Sequence, residues 1–431
     1  MFFLVTDHPD VRWLQYVLDE FARIQDARFK LLALARGEAP PADALVLSYS
    51  RTPDAGPCLP DCSGDEPDGR IAWLSDSLFV PECAKAEGGF ALPFDPFWAA
   101  FILLSRLEEQ HSLQPGRMQL GYAAAHPRQD KTTFRVPAVN HIFAALEGVI
   151  TSRFPQLPFA PGQSLSIEFS HDVDYVAKTL QLRLKQTAFN AVNLLRRRGS
   201  LFKLTTFLLD RADYWRFDEW AELERSRGLR SVFYVYARAR RRSPRDWLID
   251  PSYSLSRHSR LRETLRALAA EGFEIGLHGG FASAANPDLL AAEKACLERS
   301  LGREVSRSRQ HWLRHIDGVT DLAHESLFSR DSTLGFNDRM GFRAGCASPY
   351  RPWSHAENRP LRHLVVPLAL MDSTIFDYGD APGGNDALAM LRSLAKLKNA
   401  QVSVSWHQRT LSPEYGWGGL YERIAEELEG D

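Results

Sequence analysis

Apolar and polar positions along the first fifty residues change period in a way that names elements. Phe2-Phe3-Leu4-Val5 is a continuous apolar run of strand length, apolar residues recur at helical spacing around Val11 to Ile24, and Ala44 to Tyr49 reads as a second strand. A loop rich in proline, glycine and aspartate follows from Arg51 to Arg70. The segment Phe94 to Glu109 is apolar on all sides before its polar end, which predicts a helix buried between layers, and it is too short to span a bilayer.

Near residue 160 the chain turns to Pro155-Gln156-Leu157-Pro158-Phe159-Ala160-Pro161-Gly162, which continues neither a helix nor a central strand. This places a domain boundary there, with residues 1–160 as a small α/β or α+β domain and 161–431 as the larger one. Beyond it, strand-like runs at Leu165–Phe169, Ser231–Ala237, Glu274–Leu277, Val305–Gln310, Leu364–Leu368 and Val402–Trp406 alternate with helical stretches. Such alternation predicts a parallel sheet with crossover helices, open or closed into a barrel.

Composition narrows the picture only slightly. The 431 residues are 44% hydrophobic and 25% charged with a net charge of -2, as in an ordinary folded protein with no field that would gather nucleic acid. Five scattered cysteines (Cys58, Cys62, Cys83, Cys296 and Cys346) cannot staple a chain of this length, and the first three make at best a poor metal site. The apolar start lacks a basic leader, so a cytoplasmic protein without an integral membrane segment is the expectation. One basic stretch, residues 182–203, reads as a solvated helix face or as a surface for peripheral contact with anionic lipid or polymer.

The ionisable residues gather at the carboxyl ends of the expected strands, where barrels and doubly wound sheets build their sites. His171, Asp172 and Asp174 follow the first strand of the larger domain, His278 the third, Arg309 and His311 the fourth, and His407 the last. Asp172 and Asp174, spaced i and i+2, can face one pocket, one to hold a cation and one to accept a proton. Barrel closure brings the last strand beside the first, and with it His407 toward both aspartates.

Taken in order, Ser170-His171-Asp172-Val173-Asp174, the strand-end His278, the Arg309 of Ser308-Arg309-Gln310-His311-Trp312 and the late His407 resemble the motifs of the polysaccharide deacetylase family over about residues 163–425. Residues 1–160 resemble a domain of unassigned role often found ahead of such deacetylases. The resemblance implies a distorted (β/α) barrel, a divalent cation with zinc the expected one, and removal of an acetyl group, usually N-acetyl, from a carbohydrate. It implies Asp172 as general base, Asp174 and His278 as metal ligands, Arg309 as the group orienting the base, and His407 as general acid.

The sequence departs from the pattern at Ala282, where the family carries its second metal-binding histidine. Either fewer protein ligands hold the cation, or His311 supplies the missing nitrogen, or metal binding is lost. His311 is the preferred reading, because catalytic zinc usually has three protein ligands plus water. Arg343 can bind a sugar carboxylate or phosphate, and Trp312, Tyr350 and Trp406 can stack on sugar rings. Two rivals stand beside the deacetylase: a catalytically silent glycan-binding barrel, and a hydrolase of another non-peptide C–N bond.

Overall fold

The computed structural model describes residues 1–431 except 53–57, 181, 185–186, 188–190, 192–212, 242, 379–383 and 430–431, so most of the basic stretch 182–203 lies outside the described residues. The chain divides into two compact units, one made of Met1–Glu168, Ala284–Pro287 and Ser306–Val404, the other of Phe169–Ser283, Asp288–Val305 and Ser405–Asp431.

The first unit opens with a four-stranded, all-parallel sheet of β1 (Phe2–Thr6), β2 (Leu31–Leu34), β3 (Leu45–Ser50) and β4 (Cys58–Pro60), in the order β2-β1-β3-β4. This makes the N-terminal part α/β. The helix Arg12–Ile24 crosses between β1 and β2 and buries Leu14, Val17, Leu18, Phe21 and Ile24. An antiparallel hairpin, β5 (Ile71–Ser75) and β6 (Leu78–Pro81), follows.

The apolar segment predicted as a buried helix is one. Pro96–Leu104 is buried at every position, with Pro96 pre-set at its first turn and the Asp95 carboxylate accepting from the N–H groups of Phe97 and Trp98 at 2.9 Å each. Burying all faces requires neighbours all round. Part of that cover comes from far along the chain, since Leu334, Ala344, Cys346, Tyr350, Trp353 and Val365 join the same apolar cluster.

The larger sheet contains β7 (Ser166–Val173), β8 (Val232–Val235), β9 (Glu274–Gly279), β10 (Arg307–Gln310) and β11 (Arg330–Asp331), then, after a short antiparallel pair β12 (Trp353–Ser354) and β13 (Arg359–Pro360), β14 (Leu364–Val365), β15 (Leu368–Met371) and β16 (Gln401–Ser405). Its order is β14-β11-β10-β9-β8-β7-β16-β15. Neighbouring strands β7, β8 and β9 pair in parallel, as do β10, β11 and β14.

The run Leu364–Leu368, predicted as one strand, is the end of one strand and the start of another. Pro367 has no N–H to give a ladder and breaks the run, so β14 and β15 occupy the two opposite edges of the sheet. Only Val366 and Pro367 separate these edge strands, and a two-residue link spans roughly 10 Å at most. The sheet is therefore curled rather than flat, which fits a distorted (β/α) barrel. The last strand, β16, also lies beside the first, β7, as closure requires, and Trp406 N–H donates to the Ser170 carbonyl at 2.9 Å.

Candidate metal centre

Asp172 and Asp174 are delivered by β7, which runs four residues past its predicted end, so Asp172 sits inside the ladder opposite Tyr234. Below them His171 is fully buried, its Nε2 2.7 Å from Glu224 Oε1 and its Nδ1 3.0 Å from the Trp406 carbonyl oxygen. Burial pushes the Glu224 carboxyl up, but His171 and hydrogen bonds from His171, Tyr421 and Ser231 outweigh it and hold the group below its ordinary range. His171 is thus an anchor of the strand. The peptide between the two aspartates is held as well: Tyr253 Oη donates to the Val173 carbonyl at 2.6 Å and accepts from Tyr236 N–H at 2.8 Å.

Asp174 is where several side-chain contacts converge. His278 Nε2 lies 3.4 Å from its Oδ1, while on the other oxygen, Oδ2, His407 Nε2 lies at 3.4 Å and Arg409 Nη1 donates at 3.2 Å. Arg409 is a residue that the sequence reading missed. Burial lowers its guanidinium, but Tyr415, Asp174 and Tyr175 around it hold it well above its ordinary value, so it stays charged.

His311 follows β10 directly, and Asp174, His278 and His311, all buried, each offer a ligand atom with these atoms within 4.8 Å of one another. No other group of three such side chains occurs among the described residues, so Cys58, Cys62 and Cys83 do not gather as one. One carboxylate and two imidazoles fit a zinc-type tetrahedral site with a position left for water. Bonds of about 2.0–2.1 Å put neighbouring ligand atoms roughly 3.3–3.5 Å apart, and Asp174 Oδ1 to His278 Nε2, at 3.4 Å, already has that spacing. Asp174, His278 and His311 are the residues that would hold the cation, and Arg409 and His407 meet the other Asp174 oxygen, Oδ2.

The loop after His278 is clamped by acids. Gly280 N–H donates to Glu293 Oε2 at 3.0 Å and Phe281 N–H to Asp250 Oδ1 at 2.8 Å. A Cβ at position 280 would stand 2.8 Å from Glu293 Oε1 and 3.1 Å from the Tyr236 ring, so a larger residue there would have to displace the Glu293 carboxylate. Ala282 lies half-buried in this loop, outside any helical turn with His278.

Desolvation pushes the Glu293 carboxyl up to about 8. The folded protein then keeps a proton that the unfolded chain releases above its ordinary pKa of about 4.5, so stability falls as pH rises from there to about 8. Glu293→Gln, which mimics the protonated form, is expected to abolish that slope. Melting temperatures across pH 5–9 check this, and parallel curves for the two proteins would count against it.

Other predicted residues land in different settings. Arg309 is fully buried, its Nε donating to the Ser332 carbonyl at 3.2 Å and its Nη2 to Ser332 Oγ at 3.0 Å and Ser403 Oγ at 2.9 Å. Trp312 is 39% exposed, and both it and Leu313 have left-handed backbones (φ 62° and 49°), a strained turn that keeps the ring at the surface directly after His311.

Tyr350, by contrast, is 1% exposed inside the apolar cluster of the first unit, which leaves no face for a sugar ring. Trp406 is likewise buried, with its Nε1 donating to the Trp417 carbonyl at 3.0 Å. The Arg343 side chain is engaged bidentately by Glu109 at 2.7 and 2.8 Å and donates to the Met118 carbonyl at 3.0 Å. These three are placed as packing and ion-pair residues.

Among the described residues no helix is long and apolar enough to cross a membrane. No family model matches the sequence, and no curated protein does. Among solved structures, the chain is similar to a Mycobacterium smegmatis protein assigned as a polysaccharide deacetylase, with 15% identity, TM-score 0.38, and 64% of this chain and 87% of that one covered. It is similar to a Pseudomonas aeruginosa PAO1 protein assigned in the same way, with 17% identity, TM-score 0.37, and 62% and 85% covered. A third match is Puue allantoinase, with 14% identity, TM-score 0.38, and 63% and 87% covered. Likenesses of this degree carry no argument about chemistry, which rests on the strands and side chains described above.

Proposed function

We propose that the barrel is a metal-dependent hydrolase that removes acetyl groups, N-acetyl in the first place, from a carbohydrate or glycan precursor. The observation that carries the proposal is the buried group of Asp174, His278 and His311, with Asp172 two residues from Asp174 on the same strand end. Residues 1–160 then form an N-terminal domain ahead of a deacetylase-like barrel of residues 161–431.

A divalent cation of the zinc type, when held by Asp174, His278 and His311, supplies Lewis acidity and lowers the pKa of water toward about 7. The chain's own residues supply proton transfer. Asp172, buried at the strand end, accepts the proton of the attacking water as its oxygen bonds to the acetyl carbonyl carbon. His407, held beside Asp174, gives a proton to the amine nitrogen as the C–N bond breaks, so water and amide become acetate and a free amine. Arg309, locked by Ser332 and Ser403, adds a fixed positive charge at the same strand ends, and Trp312 offers an exposed ring for a sugar face.

Acetate release from acetylated amino-sugar oligomers tests the reading. Activity is expected to disappear on chelation and to return with zinc; activity indifferent to chelator would remove the metal from the mechanism. A second reading, a silent glycan-binding barrel, is favoured by Ala282 together with the Arg409–Asp174 pair, since a guanidinium can neutralise that carboxylate without a cation. On that reading, the protein binds the oligomers, releases no acetate and carries no ion.

A further inference from the structure

In the first unit's parallel sheet, the order β2-β1-β3-β4 means that the chain leaves β1 toward one side and later returns to the other. The carboxyl ends of β1 and β3 are therefore a topological switch point, where open α/β sheets leave a crevice for a ligand. A cavity of about 180 Å³ opens there, lined by Asp7 and His8 after β1, Ser50, Arg51 and Thr52 at and after the end of β3, and Asp61 after β4. We propose that this crevice binds a small neutral polyhydroxylated molecule, one sugar ring in size, at a site separate from the Asp174 centre.

The polar groups are organised toward an occupant. His8 Nε2 lies 2.8 Å from Asp61 Oδ2 and 2.7 Å from Ser63 Oγ, and Asp61 Oδ1 accepts from Ser63 N–H at 2.9 Å and Ser63 Oγ at 2.6 Å. Asp61 and Ser63 meet the same ring nitrogen, so Ser63 has no separate imidazole nitrogen to activate it as a nucleophile. Nδ1 is left as a polar atom that no described residue hydrogen-bonds. Tyr49 stacks on the His8 ring and Trp13 meets it edge-on, each at 6.1 Å between centroids, which fixes the imidazole. The Arg51 guanidinium is tethered through Nη2 to the Ser63 carbonyl at 2.8 Å, with 68% of its side chain exposed.

The chemistry selects the ligand class. A phosphate or dinucleotide at a switch point needs a glycine-rich loop of free N–H groups, but here the loop after β1 is Asp7-His8-Pro9-Asp10, with two carboxylates and a proline that has no N–H. A carboxylate, an imidazole nitrogen, a guanidinium and two hydroxyls instead match the alternating donors and acceptors of vicinal hydroxyl groups. At about 30 Å³ per water the cavity holds roughly six waters, the space of one ring.

The test is titration calorimetry on the full chain with free glucose, free N-acetylglucosamine and inorganic phosphate as probes, on wild type, Asp7→Asn, Arg51→Ala and His278→Ala. Asp7 and Arg51 are exposed, so neither substitution disturbs the core. Sugar binding that weakens at least tenfold in Asp7→Asn and Arg51→Ala but persists in His278→Ala supports the site. No sugar binding, sugar binding indifferent to Asp7 and Arg51, or phosphate binding that depends on Arg51 would each overturn it.

Discussion

Asp172→Asn is expected to lower acetate release by about 10²–10⁴-fold while leaving the metal content of the protein unchanged. Asparagine keeps the size of the side chain and its hydrogen-bonding oxygen, but it cannot take a proton from water. The residue lies within β7, in register with Tyr234 of β8, so the backbone that presents it is held by the sheet whatever the side chain. Steady-state rates and elemental analysis on the same sample separate the two roles. If the variant also loses its metal, Asp172 is a ligand and the base must be sought elsewhere.

Glu109→Ala is expected to destabilise the fold by about 3–5 kcal/mol, because it strips the carboxylate from buried Arg343 and leaves buried Arg106 with Asp317 alone, at 3.3 Å. Glu109 Oε2 accepts from Arg106 at 2.9 Å, and the carboxylate is gripped by Arg343 at 2.7 and 2.8 Å, with both arginine side chains under 5% exposed. Burial pushes the Glu109 carboxyl up, but Arg343 and Arg106 overcome it and hold the group at about 2. The folded-state value lies below the unfolded one, so the contribution is full above about pH 4.5 and is lost as pH falls toward 2. Denaturant unfolding at pH 7 and pH 3 measures both effects. A cost under about 0.5 kcal/mol at pH 7, the level of an ordinary surface substitution, would contradict the ion-pair reading and reopen a substrate role for Arg343.

Much of the barrel was legible because β7, β9 and β16 carry apolar residues and run into an ionisable residue, a pattern that survives without knowledge of neighbours, whereas β10, Arg307-Ser308-Arg309-Gln310, was read from Val305 ahead of it and His311 after it. The carboxyl ends of β7, β9, β10 and β16 were read from Asp172 and Asp174, His278, His311 and His407 in this way. The shortest strands were not legible: β11 is the dipeptide Arg330-Asp331, and β4 is three residues ending in a proline. The run around Pro367 misled because five apolar residues suit one strand, and only the proline's missing donor says otherwise.

Side-chain roles were readable where the fold places them at strand ends and unreadable where a distant partner decides them. Arg343 has the same local look as a surface ligand, yet its partner Glu109 lies 234 positions earlier. Tyr350 is aromatic beside a turn in the sequence, and its burial comes from residues of the first hundred that fill the same core. Arg409 could have been flagged by its spacing of two from His407, but its contact with Asp174 needs β16 and β7 to be neighbours. The boundary drawn near residue 160 followed the prolines, whereas the packing joins residues 306–404 to the N-terminal part in one compact unit.

The central claim is that Asp174, His278 and His311 together hold a divalent cation, and elemental analysis of protein purified without chelator tests it most directly. About one zinc-type ion per chain in wild type, lost in Asp174→Ala, His278→Ala and His311→Ala and retained in His407→Ala, is the predicted result. A wild-type protein that carries no stoichiometric ion, and that His311→Ala leaves unchanged, would contradict it and leave the barrel as a binding module.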